Sequence, residues 1–155
     1  MVLCVLSSWE VALQEMVSLG SVIRMIAVRD LRTLARARLR DTKVLLQAKR
    51  FDAAFYLCGY AVELALKARI CQTLRWSEFP ATANEFKNLQ SLKTHNLEML
   101  LTLSGVEHRV KTKHPGEWSV VLDWNPEKRY QPIGQSTLQQ STAMVTCAKR
   151  LLDAL

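Results

Sequence analysis

Residues 51–74 read FDAAFYLCGYAVELALKARICQTL, and this stretch decides the fold. It contains no proline and a single glycine, Gly59. Its apolar residues recur at steps of three, four and five, which indicates a helix. We therefore predict a central helix over residues 51–74, about 36 Å long at the usual helical rise. Small residues that permit close approach of neighbouring helices run along it: Ala53, Ala54, Gly59, Ala61, Ala65 and Ala68.

An amphipathic helix is predicted directly before it, over Leu31–Ala48. Asp30 is the predicted N-cap, because its short carboxylate can accept hydrogen bonds from the free N–H groups of the first turn. On a helical wheel, leucines fall on one side and most basic residues on the other. Arg38 falls among the leucines, so we expect it to need a carboxylate partner.

A shorter helix is predicted over Leu97–Ser104. The helix would begin at Thr94, or at His95 with Asn96. Gly105 would lie just beyond its last residue, where glycine is common. This segment provides a third helix of the predicted bundle.

The last third of the chain is predicted to contain a loop and two more helices. Pro115 excludes a continuous helix, so residues 107–116 are predicted to be a polar, basic loop. Trp118–Leu122 is the one strand candidate. Pro126 can begin a short helix, and the final helix is predicted over Ser136–Ala154.

The chain has 155 residues, which favours one domain. A composition of 49% hydrophobic and 23% charged residues excludes the disordered and fibrous classes. Because Ser7 or Ser8 could cap an early helix, residues 1–29 are predicted to be a helical N-terminal extension. Residues 30–155 are predicted to form an all-α domain, since strand signals are nearly absent.

The net charge of +7 is unevenly spread along the chain. The segment Arg29–Arg50 carries eight cationic side chains against two carboxylates, which is nearly the whole excess. Within it, the basic stripe from Arg29 to Lys43 could follow an RNA backbone by releasing counterions. The alternative is a solvated helix face.

The sequence favours neither a metal site nor a membrane segment. The cysteines show no Cys-x-x-Cys spacing and are predicted to be reduced core residues: Cys4, Cys58, Cys71 and Cys147. His108 and His114 lack a third ligand nearby, so we expect no metal and no cofactor. Met16–Val28 is interrupted by Arg24 and is too short to span a membrane. Without a basic leader at its start, the chain is expected to be cytoplasmic.

Several motifs resemble those of one helical family. Asp52–Ala68 looks like the signature helix of HEPN domains, which often accompany minimal nucleotidyltransferases. Ala37–Asp52 resembles the first core helix of that family and its basic-aromatic-Asp turn. His95–Leu101 resembles the His-x-Leu-x-x-Leu start of its third helix, and Trp124–Tyr130 is similar to a Trp, four residues, Arg-Tyr element of one subgroup.

The resemblance implies an antiparallel bundle of four or five helices with short extra helices, usually dimeric. It also implies one of three roles: a ribonuclease toxin, a subunit that binds a nucleotide or a nucleotidyltransferase, or a non-catalytic scaffold. A shared fold does not choose among these roles.

Ribonuclease members of the family carry an Arg followed, after four to six residues, by a His. There the His acts in acid/base chemistry on the ribose 2′-hydroxyl, and the Arg stabilises the phosphate charge. Arg109-Val-Lys-Thr-Lys-His114 has that spacing. Val110 and Pro115 depart from the family pattern and favour a solvated basic loop instead.

Two further groups are candidates for binding a nucleotide or RNA. The first is Tyr60, Glu63, Lys67 and His95. In this group Glu63 could instead be structural, paired with Arg38 or Lys67, while Tyr60 packs and His95 satisfies the first turn of a helix. The second is Trp124, Arg129 and Tyr130, suited to stacking a base and holding a phosphate, or to packing as a cluster at the bundle edge.

The sequence thus predicts a HEPN-type module that binds RNA, a nucleotide or a nucleotidyltransferase partner, plausibly in a toxin–antitoxin system, and that forms a homodimer. The alternative is a metal-independent endoribonuclease toxin that uses Arg109 and His114.

Overall fold

The computed structural model describes residues 25–80 and 86–155. Within them the chain forms six α-helices: α1 Val28–Gln47, α2 Phe51–Leu74, α3 Leu97–Leu103, α4 Glu107–Lys113, α5 Pro115–Val121 and α6 Leu138–Ala154. Two 3-10 helices lie at Gln90–Leu92 and Pro126–Tyr130, and two short strands, β1 Ile26–Ala27 and β2 Glu78–Phe79, pair antiparallel. The predicted all-α fold is confirmed.

Helix α2 is the centre of the bundle and has the bounds that its sequence predicts. It is buried on several faces, from Ala54 to Cys71. Helix α1 precedes it after a turn in which Lys49 takes a left-handed φ of 58°, and so short a connection makes the two helices antiparallel. Helix α6 packs against both. The core therefore lies between α1, α2 and α6, and the short helices cover its open side.

The indole of Trp124 packs directly against Gly59 of α2. A Cβ atom at position 59 would lie 2.0 Å from Cγ of Trp124. The indole is held there because its Nε1 donates a hydrogen bond of 2.9 Å to the carbonyl oxygen of Tyr56. Glycine at position 59 is what allows the ring to lie against the backbone of α2.

The start of α1 differs from the prediction. The helix begins at Val28, and Asp30 lies in its first turn rather than at the N-cap, where Ala27 makes no side-chain capping bond. The N–H of Val28 instead donates to the carbonyl oxygen of Ser77, next to the β1–β2 pair. Strands of two residues are too short to show an alternating pattern, so they could not be predicted from the sequence.

The region after α3 is more helical than predicted. Residues 107–113 form α4, so the predicted loop is wrong, and Pro115 begins α5 instead of only ending a helix. The strand candidate Trp118–Leu122 is also wrong, because Trp118 and Val121 are buried from a helix. A proline in a first turn loses no hydrogen bond, since the N–H it lacks would be unpaired there.

Two helix boundaries follow the sequence closely. Asn96 caps α3, its side-chain oxygen accepting from the N–H of Met99 at 2.9 Å, and Gly105 has a φ of +71° just beyond the helix. Cys58 and Cys71 are buried, as predicted, and burial raises the pKa of their thiols to about 12 and about 11. Cys4 and most of the predicted N-terminal helix lie outside the described residues.

Candidate functional site

The structure brings the first predicted group together at one cavity. Tyr60, Glu63 and Lys67 line it from α2, and His95 lines it from the segment before α3. The cavity has a volume of about 280 Å³. Glu63 is only 1% exposed, so its carboxylate lies inside the bundle rather than at its surface.

One oxygen of the Glu63 carboxylate has two partners and the other has none. Oε1 accepts from Nζ of Lys67 at 2.6 Å and lies 2.9 Å from Nδ1 of His95. A hydrogen bond to a carboxylate requires the proton on Nδ1. Oε2 is buried without a hydrogen-bond partner among the described residues. The pairing with Lys67 is the one that helical spacing predicts.

Arg38 is not the partner of Glu63. Its Nη1 lies 3.0 Å from Oδ2 of Asp41, one turn further along α1. The side chain of Arg38 is 38% exposed, so water and an exposed carboxylate satisfy it. On the helical wheel Arg38 falls among the leucines, but its long side chain extends to solvent.

The second predicted group is divided by the structure. Trp124 is 4% exposed and packs against Gly59, so its ring faces are not free to stack on a base. Tyr130 is 73% exposed, and the guanidinium carbon of Arg129 lies 4.7 Å from its ring centroid. Only Arg129 and Tyr130 therefore lie where a ligand in solution could reach them.

Arg129 is part of a larger basic cleft. This cavity, of about 460 Å³, lies between the start of α2, the 3-10 helix at Pro126–Tyr130 and the loop 131–136. Its lining includes four cationic side chains: Lys49, Arg50, Lys128 and Arg129. We call these four residues, with Asp52 and the loop 131–136, the basic cleft.

Asp52 is the one carboxylate in the lining of the basic cleft, and the backbone already engages it. It accepts from the N–H groups of Gly134 and Ser136, both at 2.6 Å. The hydrogen bond from Gly134 is the main cause that lowers the pKa of Asp52 below its usual value. The carboxylate thus fixes the loop and stays negatively charged, so the cleft holds four cations against one described carboxylate.

Three residues of the basic cleft were not predicted from the sequence to bind a ligand: Lys49, Arg50 and Lys128. Their positions in the chain are far apart, and only the fold brings residues 49–50 next to residues 128–129. The one available signal was that basic residues sit at the ends of two predicted helices.

The two residues of the ribonuclease spacing contact different partners within the chain. Arg109 is exposed on α4, and its Nη2 donates to the carbonyl oxygen of Ala154 at 2.8 Å. His114 follows α4, with its Nδ1 4.0 Å from the carboxylate of Glu117. Positions five apart on a helix differ by about 140° in direction. Among the described residues, the two side chains share no hydrogen-bond partner.

Most of the basic stripe of α1 is a solvated face. Its exposed members are Arg29, Arg32, Arg36, Arg40 and Lys43. The buried residues of this helix are Leu31, Ala35, Leu39 and Thr42. The arrangement is the amphipathic one that the sequence predicts.

The sequence model of the HEPN domain matches residues 28–155, from the start of α1 to the last residue. The chain belongs to the HEPN domain family. HEPN domains are associated with RNA binding, with nuclease activity and with toxin–antitoxin systems, and they commonly dimerise. Comparison with curated proteins and with solved structures finds no match.

Over residues 25–80 and 86–155, no helix has the length and apolar character needed to cross a membrane. In the same residues, no three His, Cys, Asp or Glu side chains gather closely enough to hold a metal ion.

Proposed function

We propose that this HEPN protein binds RNA by holding a nucleotide unit in the basic cleft. The observation that carries the proposal is the convergence of Lys49, Arg50, Lys128 and Arg129 on one cavity, where Asp52 is the only carboxylate among the described lining residues. Such an excess of positive charge attracts phosphate, and releasing counterions from RNA makes the contact favourable.

An exposed aromatic ring beside these cations supplies a place for a base. Tyr130 lies next to Arg129 and presents its ring to solvent. Stacking of a base on an aromatic side chain contributes about 1–3 kcal/mol and tolerates any sequence. The cleft therefore combines phosphate contacts with a stacking surface, which suits single-stranded RNA.

Replacing Lys128 and Arg129 together by glutamine should weaken binding of a single-stranded RNA at least about tenfold, because two charged contacts are lost. The dependence of affinity on salt should also become shallower, by about 0.7 in logarithmic slope for each phosphate contact removed. Fluorescence anisotropy at several salt concentrations measures both quantities. Tyr130→Ala should weaken binding without changing the salt slope, whereas Tyr130→Phe should bind as the wild type does.

Lys149→Gln is the matched control, because Lys149 is exposed on α6 and does not line the cleft. It removes one positive charge at a distance. If this control weakens RNA binding as much as the cleft variants do, then the net charge of the protein and not the cleft determines affinity, and the proposal is wrong.

The second candidate is a metal-independent endoribonuclease that uses Arg109 and His114. In its favour, α4 is a helix, as the resemblance to ribonuclease members requires. Against it, Arg109 is bonded to the carbonyl oxygen of Ala154. In a dimer, each site could still be completed by the other chain.

We expect a mixed RNA pool incubated with the protein and EDTA to remain uncleaved, because within one chain the Arg109 guanidinium is hydrogen-bonded to Ala154 and the His114 imidazole lies beside Glu117. Gel electrophoresis of the pool is the measurement. Cleavage that disappears in both His114→Ala and Arg109→Ala, with RNA binding intact, would instead establish the enzyme. Cleavage that survives in His114→Ala would remove this pair as its catalytic site.

We also propose that the protein is a homodimer, as is common for HEPN domains. Exposed apolar side chains at Val44 and Leu138 offer surface for such an interface. Light scattering at micromolar concentration should give about twice the 17.6 kDa chain mass. A single-chain mass would contradict this proposal. A minimal nucleotidyltransferase is the second partner that we propose, and co-purification with the product of a neighbouring gene tests it.

A further inference from the structure

A cavity of about 280 Å³ lies between α1, α2 and the end of α6, apart from the basic cleft. Three arginines line it. Arg32 and Arg36 project from α1 at a spacing of four residues, which places them on the same face of the helix. Arg69 reaches the cavity from α2. Its apolar wall comes from Ala35, Ala65, Leu152 and Leu155.

The charges of these arginines are not neutralised by the described part of the chain. No described carboxylate, that of Asp153 in the cavity lining included, lies within 4.0 Å of a guanidinium nitrogen of Arg32, Arg36 or Arg69. Among the described residues, the lining holds three guanidinium groups against one side-chain carboxylate, that of Asp153. The excess of positive charge favours an anion in the cavity.

Arg69 gives the second, independent observation. Its Nε is buried and has no hydrogen-bond partner among the described residues. Its Nη1 makes only a long contact of 3.5 Å with Oε1 of Gln72. A buried donor without an acceptor is unfavourable, so such donors are normally paired. Arg69 therefore offers the cavity a buried N–H that no described residue accepts.

We propose that this cavity binds a phosphate group. Guanidinium groups are planar forks that bind phosphate through pairs of parallel hydrogen bonds. Three such groups offer more donors and more charge than one carboxylate, with its two oxygens and single charge, can satisfy. A phosphate group has more oxygens and carries up to two negative charges. In this site the buried Nε of Arg69 contacts the phosphate from inside the cavity, and the exposed Arg32 and Arg36 contact it from the solvent side.

This count of oxygens and charges favours a free or terminal phosphate over a phosphodiester of an RNA backbone, which has two non-bridging oxygens and one charge. Three probes distinguish these sources: inorganic phosphate, adenosine 5′-monophosphate, and a short RNA without terminal phosphates. The site does not depend on the RNA-binding proposal, because the two cavities share no lining residue. The Lys128→Gln/Arg129→Gln variant should therefore retain phosphate binding at Arg69.

The experiment is a titration of the full chain with each probe, followed by the ¹⁵N resonance of the Arg69 Nε and by calorimetry. We expect the Nε resonance to shift with at least one probe, and Arg36→Gln to weaken that probe at least about tenfold. Arg36 is exposed, so this variant should fold normally. Arg69→Gln should abolish the binding, with circular dichroism confirming that the variant is folded.

Arg40→Gln is the matched control, since Arg40 is exposed on the same helix and does not line the cavity. It should leave the affinity within about twofold of the wild type. A response to inorganic phosphate or the monophosphate identifies a free or terminal phosphate, and a response to the unphosphorylated RNA alone identifies the backbone. An Arg69 resonance unmoved by all three probes, or equal losses in Arg36→Gln and Arg40→Gln, would overturn the proposal.

Discussion

Gly59→Ala should destabilise the protein by about 3 kcal/mol, at the upper end of the usual cost of overpacking a core. The added Cβ would lie 2.0, 2.2 and 2.4 Å from three atoms of the Trp124 indole. The ring cannot simply turn aside, because its Nε1 is bonded to the carbonyl oxygen of Tyr56 inside the bundle. Thermal or urea unfolding, followed by circular dichroism, measures the loss.

Two further variants separate this clash from the general effect of a glycine substitution. Gly116→Ala is the control, because a Cβ there meets nothing within 4 Å and the residue lies in the first turn of α5. It should be neutral. In a Trp124→Ala background, Gly59→Ala should cost much less than it does alone, since the ring is gone. Equal melting temperatures for Gly59→Ala and Gly116→Ala would show that the Trp124 contact does not limit stability.

This contact also illustrates how far the sequence could predict the fold. The small residues of the central helix correctly indicated that something packs closely against it. They did not indicate that Trp124, 65 positions further on, is what packs there. A tryptophan side chain can either pack in a core or stack on a base. Its residue type therefore does not predict the role of Trp124, which depends on the fold.

Local patterns were sufficient where the interaction itself is local. The apolar spacing of residues 51–74 predicted α2, and the interval of four residues predicted the pair of Glu63 with Lys67. The contact between Glu63 and His95 spans 32 positions, and neither residue carries a signal for the other. The basic cleft was missed for the same reason, because it joins residues from both halves of the chain.

Helix α4 was mispredicted because its polar and basic composition resembles that of a loop. Its helical state depends on Val110, which is 1% exposed and anchors the short helix to the core. One buried residue in seven positions gives too little periodicity to detect. Tertiary packing therefore determines the structure of this segment.

Glu63→Ala should destabilise the protein by about 3–5 kcal/mol, the usual cost of removing one member of a buried ion pair. The side chain of Glu63 is 2% exposed and that of Lys67 is 15% exposed, so the alanine variant leaves an ammonium group with little access to water. His95 would lose its acceptor as well. Chemical denaturation with a two-state fit measures the free energy of unfolding.

A double substitution separates the destabilisation caused by an unpaired buried charge from the contribution of the ion pair to the free energy of unfolding. Replacing both residues, as in Glu63→Leu/Lys67→Met, removes the two charges together and fills the same space with apolar atoms. Such replacements of buried ion pairs are often neutral or stabilising. We therefore expect the double variant to be more stable than Glu63→Ala by at least about 2 kcal/mol.

The same variants decide whether this cluster is structural or binds a ligand. Oε2 of Glu63 is buried without a hydrogen-bond partner among the described residues, and Glu63 lines a cavity, so a ligand donor could pair with this oxygen. A structural role predicts a large loss of stability in Glu63→Ala, recovery in the double variant, and unchanged RNA affinity in the double variant. An unchanged melting temperature in Glu63→Ala together with lost RNA or nucleotide binding would show instead that the carboxylate acts on a ligand. The two roles are distinguishable because a stranded Lys67 ammonium destabilises the protein whether or not a ligand is present.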